Sequence, residues 1–469
     1  MKFLKENQIF VAIVILGTIL RILALTWHDF WFDEALTYHF AKLPIDQLLR
    51  ASATDFNPPL YYLLIHFLLK LNQNELWLRL PSLIASVAII PILYFWSVKY
   101  NNKRATLISI SLFAVSPLSI YLATEARPHS LAILFVPLLS ISFFKLIAKP
   151  QATTILTFAV VATLAIYTQY YLILLFLPFA LIVIFLQTRL SLANFLIITS
   201  VPLLSILPWL IFSARFEHNP CWCPNTLLSL PASLVSPSIA GVGVVTLRSY
   251  PNLPFLTLAF FATTTIIVLI FFFKGLVRNL KITAIYLMPL TILSTLGLFL
   301  PIFSPKAFAI FSPIFFIIVG LGIDSVKQKR QLALLAFFVL GIISIVQITN
   351  PFFAGEKLEE ISQITAKDPT SPILHSSLLT YYSTKFYTQD KQQNLLITPN
   401  PLSSSTVKYI GGDQTEIDPQ SPSLWLVDTL KWADPETHRD NVNNLLRDYE
   451  TISDHQLDNI SVSYLKKRK

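Results

Sequence analysis

The chain is predicted to be an α-helical polytopic membrane protein with a small α/β domain at its C-terminal end. Three observations predict this. Apolar runs of about 18 or more residues recur through the first three quarters, the length a helix needs to cross the hydrocarbon layer. Only 13% of the 469 residues are charged against 54% hydrophobic, where a soluble protein carries nearly twice that charge fraction. After Asn350-Pro351 the composition turns abruptly polar and short-period.

About eleven spans follow from reading apolar runs against Lys/Arg gaps, near 9–26, 80–98, 105–122, 128–147, 151–168, 170–187, 193–212, 253–273, 282–300, 307–323 and 332–349. The first run is too long for a signal peptide and no small-residue cleavage site follows it, so it reads as a retained span. The 36 Phe residues suit lipid-facing helix surface and interfacial belts. Arg21, inside the first run, reads as a side chain snorkelling to the outer surface.

Net charge +9 raises nucleic acid as a partner, and its distribution argues against it. Residues 353–469 hold 12 Lys+Arg and 16 Asp+Glu; the rest of the chain holds 23 basic and 10 acidic residues. Those basic residues cluster in alternate short gaps (Lys99/Lys103/Arg104, Lys145/Lys149, Arg189, Lys274/Arg278/Lys281, Lys327/Lys329/Arg330), which is the positive-inside pattern. With Lys2 and Lys5 they place the N-terminus in the cytoplasm, and an odd number of spans places the C-terminal domain outside, as in a multi-pass plasma-membrane protein. Of the 10 acids in the membrane part only Glu6 and Asp324 then fall inside. Asp29, Asp33, Glu34, Asp46, Asp55, Glu75, Glu125 and Glu217 fall outside, so a site built from carboxylates is extracytoplasmic.

Residues 27–79 form a long first outer segment. Residues 35–50 read as one short helix lying in the interface by its apolar side. Residues 58–71 are apolar but too short to cross, and read as a re-entrant or interfacial helix. The domain division is expected at 1–350 and 351–469. In the second part, strands are expected at 372–375, 394–398 and 424–428, helices near 356–366 and 435–448, and a turn at Gly411-Gly412-Asp413. No Gly-rich phosphate loop follows a strand. Cys221 and Cys223, the only cysteines, read as a pair of small loop residues or a strained local disulfide rather than a metal site.

The adjacent acids Asp33-Glu34 sit just past the first span, in Trp27-His28-Asp29-Phe30-Trp31-Phe32-Asp33-Glu34. Two carboxylates beside lipid are costly, and chemistry explains them better than packing. Three further groups fall on the same predicted face: Asn57-Pro58-Pro59-Leu60-Tyr61-Tyr62, Glu125-Ala126-Arg127-Pro128-His129, and Ser304-Pro305-Lys306. Together they suit glycosyl transfer from a lipid phosphate. A hydroxyl acceptor needs a carboxylate base, and a leaving phosphate needs fixed cations, which Arg127 and Lys306 could supply. Phosphate leaves without protonation, so one base suffices where a glycosidase needs two carboxyls.

On Trp31-Phe32-Asp33-Glu34-Ala35, Asn57-Pro58-Pro59-Leu60-Tyr61-Tyr62, Leu78-Arg79-Leu80-Pro81-Ser82 and Ser116-Pro117 with Ala123-Thr124-Glu125-Ala126-Arg127, the chain resembles the GT-C superfamily of polyprenyl-phosphate-sugar glycosyltransferases. The branch is that of the protein O-mannosyltransferases and the lipid A aminoarabinose transferase (glycosyltransferase family 39-like). The resemblance spans roughly residues 8–325. It implies a GT-C-like helical fold, Asp33 as general base, Glu34 supporting it or helping to bind a metal, Arg127 and Lys306 on the donor phosphate, and Asn57, Tyr61, Glu125 and His129 lining the substrate site. It further implies inverting transfer from a dolichyl- or undecaprenyl-phosphate sugar to a protein, glycan or lipid acceptor. The chain departs from the family pattern at Asn57 (His or Lys usual), His129 (Tyr usual) and Lys306-Ala307 (Arg-Tyr usual); a lysine holds phosphate as a point charge without the bidentate fork.

Some GT-C relatives need a divalent cation, which leaves Mg or Mn open as a cofactor. His28, His39, His66 and His129 are the nitrogen donors that could join Asp29, Asp33 or Glu125. The rival reading is a transporter or flippase, which would carry charges at mid-span and broken helices; here the acids gather at one surface. A non-catalytic scaffold would leave those acids unexplained.

Overall fold

The computed structural model describes residues 7–186, 188–219, 255–300, 309–349, 356–388, 393–396, 402–411, 421–429 and 435–468. It divides into two compact units. The first comprises Met1–Leu25, Arg79–Ile211 and Cys221–Phe353; the second comprises Thr26–Leu78, Phe212–Pro220 and Ala354–Lys469.

In the first unit a helical segment coincides with each predicted span. In order these are Gln8–Leu23, continued as a 3-10 turn over Ala24–Thr26; Glu75–Ser97; Lys103–Ala114 with Pro117–Ala123; His129–Ala148; Ala152–Thr168; Tyr170–Leu175 running into Phe176–Phe185; Leu192–Ser213; Phe255–Leu276; Leu280–Gly297; Ser312–Asp324; and Lys329–Thr349. Among the described residues six are long and apolar enough to cross a membrane, seven if the bent pair at 103–123 counts as one span. The remainder qualify only as shorter apolar helices. Length and composition thus carry six or seven of the eleven expected crossings, and the chain is membrane-embedded.

The break at 103–123 is the main departure from a smooth span. Its two pieces meet at 56°. Pro117 has no N–H and bars the residue before it from helical backbone, while Ser116 caps the second piece, its Oγ accepting Ser119 N. A break inside an apolar region strands carbonyls that water cannot reach. Each one is met. Phe113 O accepts Ser119 Oγ at 2.7 Å, Ala114 O accepts Arg21 Nη1 at 2.9 Å, and Val115 O accepts Ser344 Oγ at 2.6 Å. Arg21 also donates to Gly17 O, Ser86 Oγ and Ser119 Oγ at 2.8–2.9 Å. Its side chain is wholly buried. The snorkelling read from sequence is therefore corrected: the guanidinium turns inward because the break offers it carbonyls.

Small residues set the helix crossings, as they do where apolar lipid gives no hydrophobic drive between helices. A Cβ on Gly322 would stand 1.8 Å from Phe271 O, and one on Gly320 would stand 2.1 Å from Ser109 Oγ. Helix 312–324 thus lies directly against 255–276 and 103–114. Its last residue, Asp324, takes Asn102 Nδ2 at 2.8 Å and lies 3.7 Å from Lys329 Nζ and 3.9 Å from Arg104 Nη1. Asn279 Nδ2 reaches Asn101 Oδ1 at 3.2 Å. Three of the basic gaps therefore share one end of this unit, as the positive-inside reading requires of loops on one side.

The second unit holds a five-stranded sheet. Its strands are β1 (Ile373–His375), β2 (Gln393–Leu395), β3 (Ser423–Asp428), β4 (Tyr449–Leu457) and β5 (Ile460–Lys467), in the order β2-β1-β3-β5-β4. β1 runs parallel to β2 and β3; β5 runs antiparallel to β3 and β4. The three predicted strands and both predicted helices are present, the latter as Leu358–Thr365 and Pro435–Asp448. The β4–β5 hairpin, turning through Asp458 at φ 51°, was not anticipated. One sheet face packs Ile373, Trp425, Val427 and Val462 under Leu358, Ile361 and Ile364. The other packs Leu374, Leu424, Leu426 and Leu465 under Val442, Leu445 and Leu446.

The first outer segment belongs to this unit. Residues 35–50 are two helices, Phe32–Lys42 and Ile45–Ser52, parted at Leu43-Pro44 because proline cannot continue the first. Helix 32–42 is buried on nearly every side rather than laid in an interface by one face. Helix Leu60–Leu69 replaces the expected 58–71. His39 Nε2 donates to Tyr382 O at 3.0 Å, and burial, reinforced by Lys385 and Lys42, drives its pKa down to about 3. Burial likewise lowers His375, between Thr380 and Gln393, to about 3.

Two predictions follow from these contacts. Replacing Arg21 by Met leaves buried carbonyls unmet and should destabilise the purified protein by about 2 kcal/mol, read as a lower thermal midpoint in detergent; an unchanged midpoint contradicts the capping role. His39 and His375 stay neutral in the fold but take a proton near pH 6.5 when unfolded. Their contribution is complete above pH 6.5 and is lost as pH falls from 6.5 toward 3, at about 1.4 kcal/mol per pH unit for each. Thermal midpoints at pH 7.5 and 5 should show this loss, and His375→Gln should reduce it.

Candidate active site

The acid pair opens helix 32–42. Trp31 precedes it in extended backbone, and Asp33 and Glu34 occupy the first turn, where the helix dipole and open N–H groups favour negative charge. The two carboxylates have different surroundings. Glu34 is wholly buried; its Oε2 accepts Trp31 N at 3.4 Å and lies 3.9 Å from His28 Nδ1. It caps its own helix, a role the sequence left undistinguished from chemistry. Asp33 is half-buried, with its backbone carbonyl accepting Thr37 Oγ1 at 3.0 Å. Of the pair, Asp33 is the one partly exposed to solvent.

Asn57 and Tyr61 lie in the same unit, at the entry to helix 60–69. Asn57 is buried, and its Nδ2 donates to Asp55 Oδ2 at 3.3 Å. Tyr62 Oη donates to that same oxygen. Asp55, counted from sequence among the outer acids but given no role, organises this corner. Tyr61 is wholly buried in the helix.

Glu125, Arg127 and His129 lie in the first unit, in the tight loop between helices 117–123 and 129–148. All three are buried. Arg127 N donates to Glu125 O at 2.8 Å, and Arg127 O accepts Ser82 Oγ at 3.1 Å. Ser130 Oγ closes the loop onto Leu122 O at 2.7 Å. The Leu78–Ser82 and Glu125–Arg127 motifs, far apart in sequence, are thus bonded to each other. Arg79, which the sequence reading quoted without a role, is also buried and donates to Leu25 O at 2.7 Å, holding the end of the first span. Lys306, Cys221 and Cys223 lie outside the described residues.

The histidines considered as metal ligands have other partners. His28 Nδ1 lies 2.8 Å from Asp29 O, and His66 Nδ1 lies 2.8 Å from Ala41 O; His39 is engaged as above. Among the described residues no three His, Cys, Asp or Glu side chains group as a metal site would need. What the residues do offer is a reachable carboxylate at a helix N-terminus and a loop-held arginine.

The family described as dolichyl-phosphate-mannose-protein mannosyltransferase matches residues 57–212. No curated protein matches the chain. Among solved structures, the chain is similar to ArnT from Cupriavidus metallidurans in the apo state, with a TM-score of 0.63 and 10% identity over 99% of this chain and 98% of that one. It is similar also to the same protein bound to undecaprenyl phosphate, with a TM-score of 0.61 and 10% identity over 98% of each chain. The fold is ArnT-like over nearly its whole length.

Proposed function

We propose that this chain is an integral membrane glycosyltransferase that moves a mannose-like hexose or related sugar from a polyprenyl-phosphate carrier to an acceptor hydroxyl at the extracytoplasmic face. The observation that carries this is the division of labour in the acid pair: Glu34 is buried as a helix cap while Asp33 remains reachable at the helix N-terminus. The matched family is described by mannosyl transfer from dolichyl phosphate to protein, and the ArnT of similar fold binds undecaprenyl phosphate. Among acceptors, a protein hydroxyl has the support of that family description; glycan and lipid hydroxyls have the same chemistry.

In the proposed step the acceptor oxygen attacks the anomeric carbon from the face opposite the phosphate. The bond from that carbon to the phosphate oxygen breaks, its electron pair leaves with the polyprenyl phosphate, and the hydroxyl proton passes to Asp33. One displacement inverts the anomeric centre. Arg127 and Lys306 hold the charge on the leaving phosphate, Glu34 fixes the helix that carries the base, and Asn57, Tyr61, Glu125 and His129 shape the substrate site. The active face and the 351–469 domain would lie outside the plasma membrane with the N-terminus in the cytoplasm, as the charge pattern of the sequence predicts.

Purified protein should consume one member of a panel of radiolabelled undecaprenyl-phosphate sugars and label an acceptor. Asp33→Asn should lower that transfer by at least about 100-fold with membrane insertion unchanged; full activity in the variant would remove the proposed base.

A further inference from the structure

The four residues before Asp33 are each held by the C-terminal part of the chain. Asp29 Oδ2 accepts Glu359 N at 2.8 Å, at the start of helix 358–365. Phe30 N donates to Tyr387 Oη at 2.7 Å, and the Phe30 ring stacks on Phe386 with centroids 4.3 Å apart. Trp31 packs against the sheet core of Leu358, Ile373 and Trp425. Phe32 meets Tyr382 edge-on at 6.0 Å. Beyond the acids the pattern continues, with His39 on Tyr382 O and Tyr38 edge-on to Phe386 at 4.8 Å. These contacts bury Phe30 and Phe32 completely and fix the backbone that leads into the acid pair.

Tyr387 is the polar centre of this grip. Its hydroxyl accepts from Phe30 N and donates to Glu75. The contacts join two stretches of the first outer segment, separated by three helices, through one side chain more than 300 residues away. A phenol with one N–H donor and one carboxylate acceptor is directional. It sets where Phe30 lies, and the rigid turn from Phe30 through Trp31 into the helix sets where the Asp33 carboxylate points. Burial and the Glu75 carboxylate also keep the phenol protonated, so it stays a donor.

We propose that Tyr387 is a positioning residue for Asp33, making the C-terminal region a working part of the active site rather than a cover or an acceptor-binding appendage. The proposal rests on the transferase reading above for its kinetic consequence, but not for its structural one. A base displaced by about 1 Å loses rate without losing donor affinity. In the transferase reading the donor phosphate is held by other residues, Arg127 and Lys306.

The test uses the full chain in detergent and the variant Tyr387→Phe, which keeps the ring and removes both hydrogen bonds; Glu75→Gln weakens the same hydroxyl from its other side. Hydrogen exchange followed by mass spectrometry should show peptides over residues 29–36 exchanging about tenfold faster in either variant, with the sheet strands unchanged. With the donor sugar that wild type consumes, kcat should fall about tenfold and the donor KM should stay within twofold. Added to Asp33→Asn, Tyr387→Phe should cost no further rate, because it acts through a base already removed. Unchanged exchange over 29–36, a loss carried by KM, or a full additional loss in the double variant would each overturn the proposal. Should wild type consume no polyprenyl-phosphate sugar, the transferase reading fails and the exchange result still decides the positioning role.

Discussion

A single buried guanidinium holds the first unit at its weakest point. Ser116-Pro117 breaks a membrane helix where no water can repair it, and the carbonyls so exposed must find donors within the protein. Arg21 supplies the donor for Ala114 O, and its fork also reaches Gly17 O, Ser86 Oγ and Ser119 Oγ, tying helices 8–23, 75–97 and 103–114 together at the break. A lysine would present a point charge there and could not reach three helices in one plane. The break then directs helix 117–123 into the loop that carries Glu125, Arg127 and His129. A cation that looks like a defect in a span is thus the reason the span can bend.

The second unit meets a different constraint. Its helix 32–42 buries Phe32, Leu36, Tyr38 and Phe40 together with Glu34 and His39, which a stretch of 11 residues could not do alone. The C-terminal sheet and helix 378–388 supply the partners. Polar ties run alongside: Thr54 and Asn219 meet Ser403 and Thr406 within 3.0 Å, and Ser213 Oγ reaches Ala53 O at 2.8 Å. Three separated stretches of chain therefore form one body, and the backbone leading to Asp33 takes its shape from all of them. A base must be preorganised to be effective, and in the proposed reaction that preorganisation would come from the far end of the sequence.

What the sequence made legible follows from which forces leave a local trace. Hydrophobicity is local, so every helix of the first unit stood near its predicted place. The motif residues Asp33 and Arg127 were legible through residue chemistry and family resemblance. Backbone satisfaction is not local: hydropathy cannot show that Val115 and Ala114 lose their helical partners, and so Arg21 was misread as an outward-reaching cation. β4 escaped notice because Glu450, Ser453, Asp454 and Gln456 leave it with no apolar alternation; it is an edge strand, exposed along most of its length. The separate roles of Asp33 and Glu34 were equally hidden, since adjacent residues on a helix face different directions and only the fold decides which is buried.

In the proposed reaction the loop between helices 117–123 and 129–148 grips a lipid-linked phosphate. An experimental structure of the full chain with undecaprenyl phosphate decides this. The phosphate should lie within hydrogen-bonding distance of the Arg127 guanidinium, with the polyprenyl chain running along the helices of the first unit. A phosphate bound elsewhere, with Arg127 turned to a purely internal contact, would contradict it.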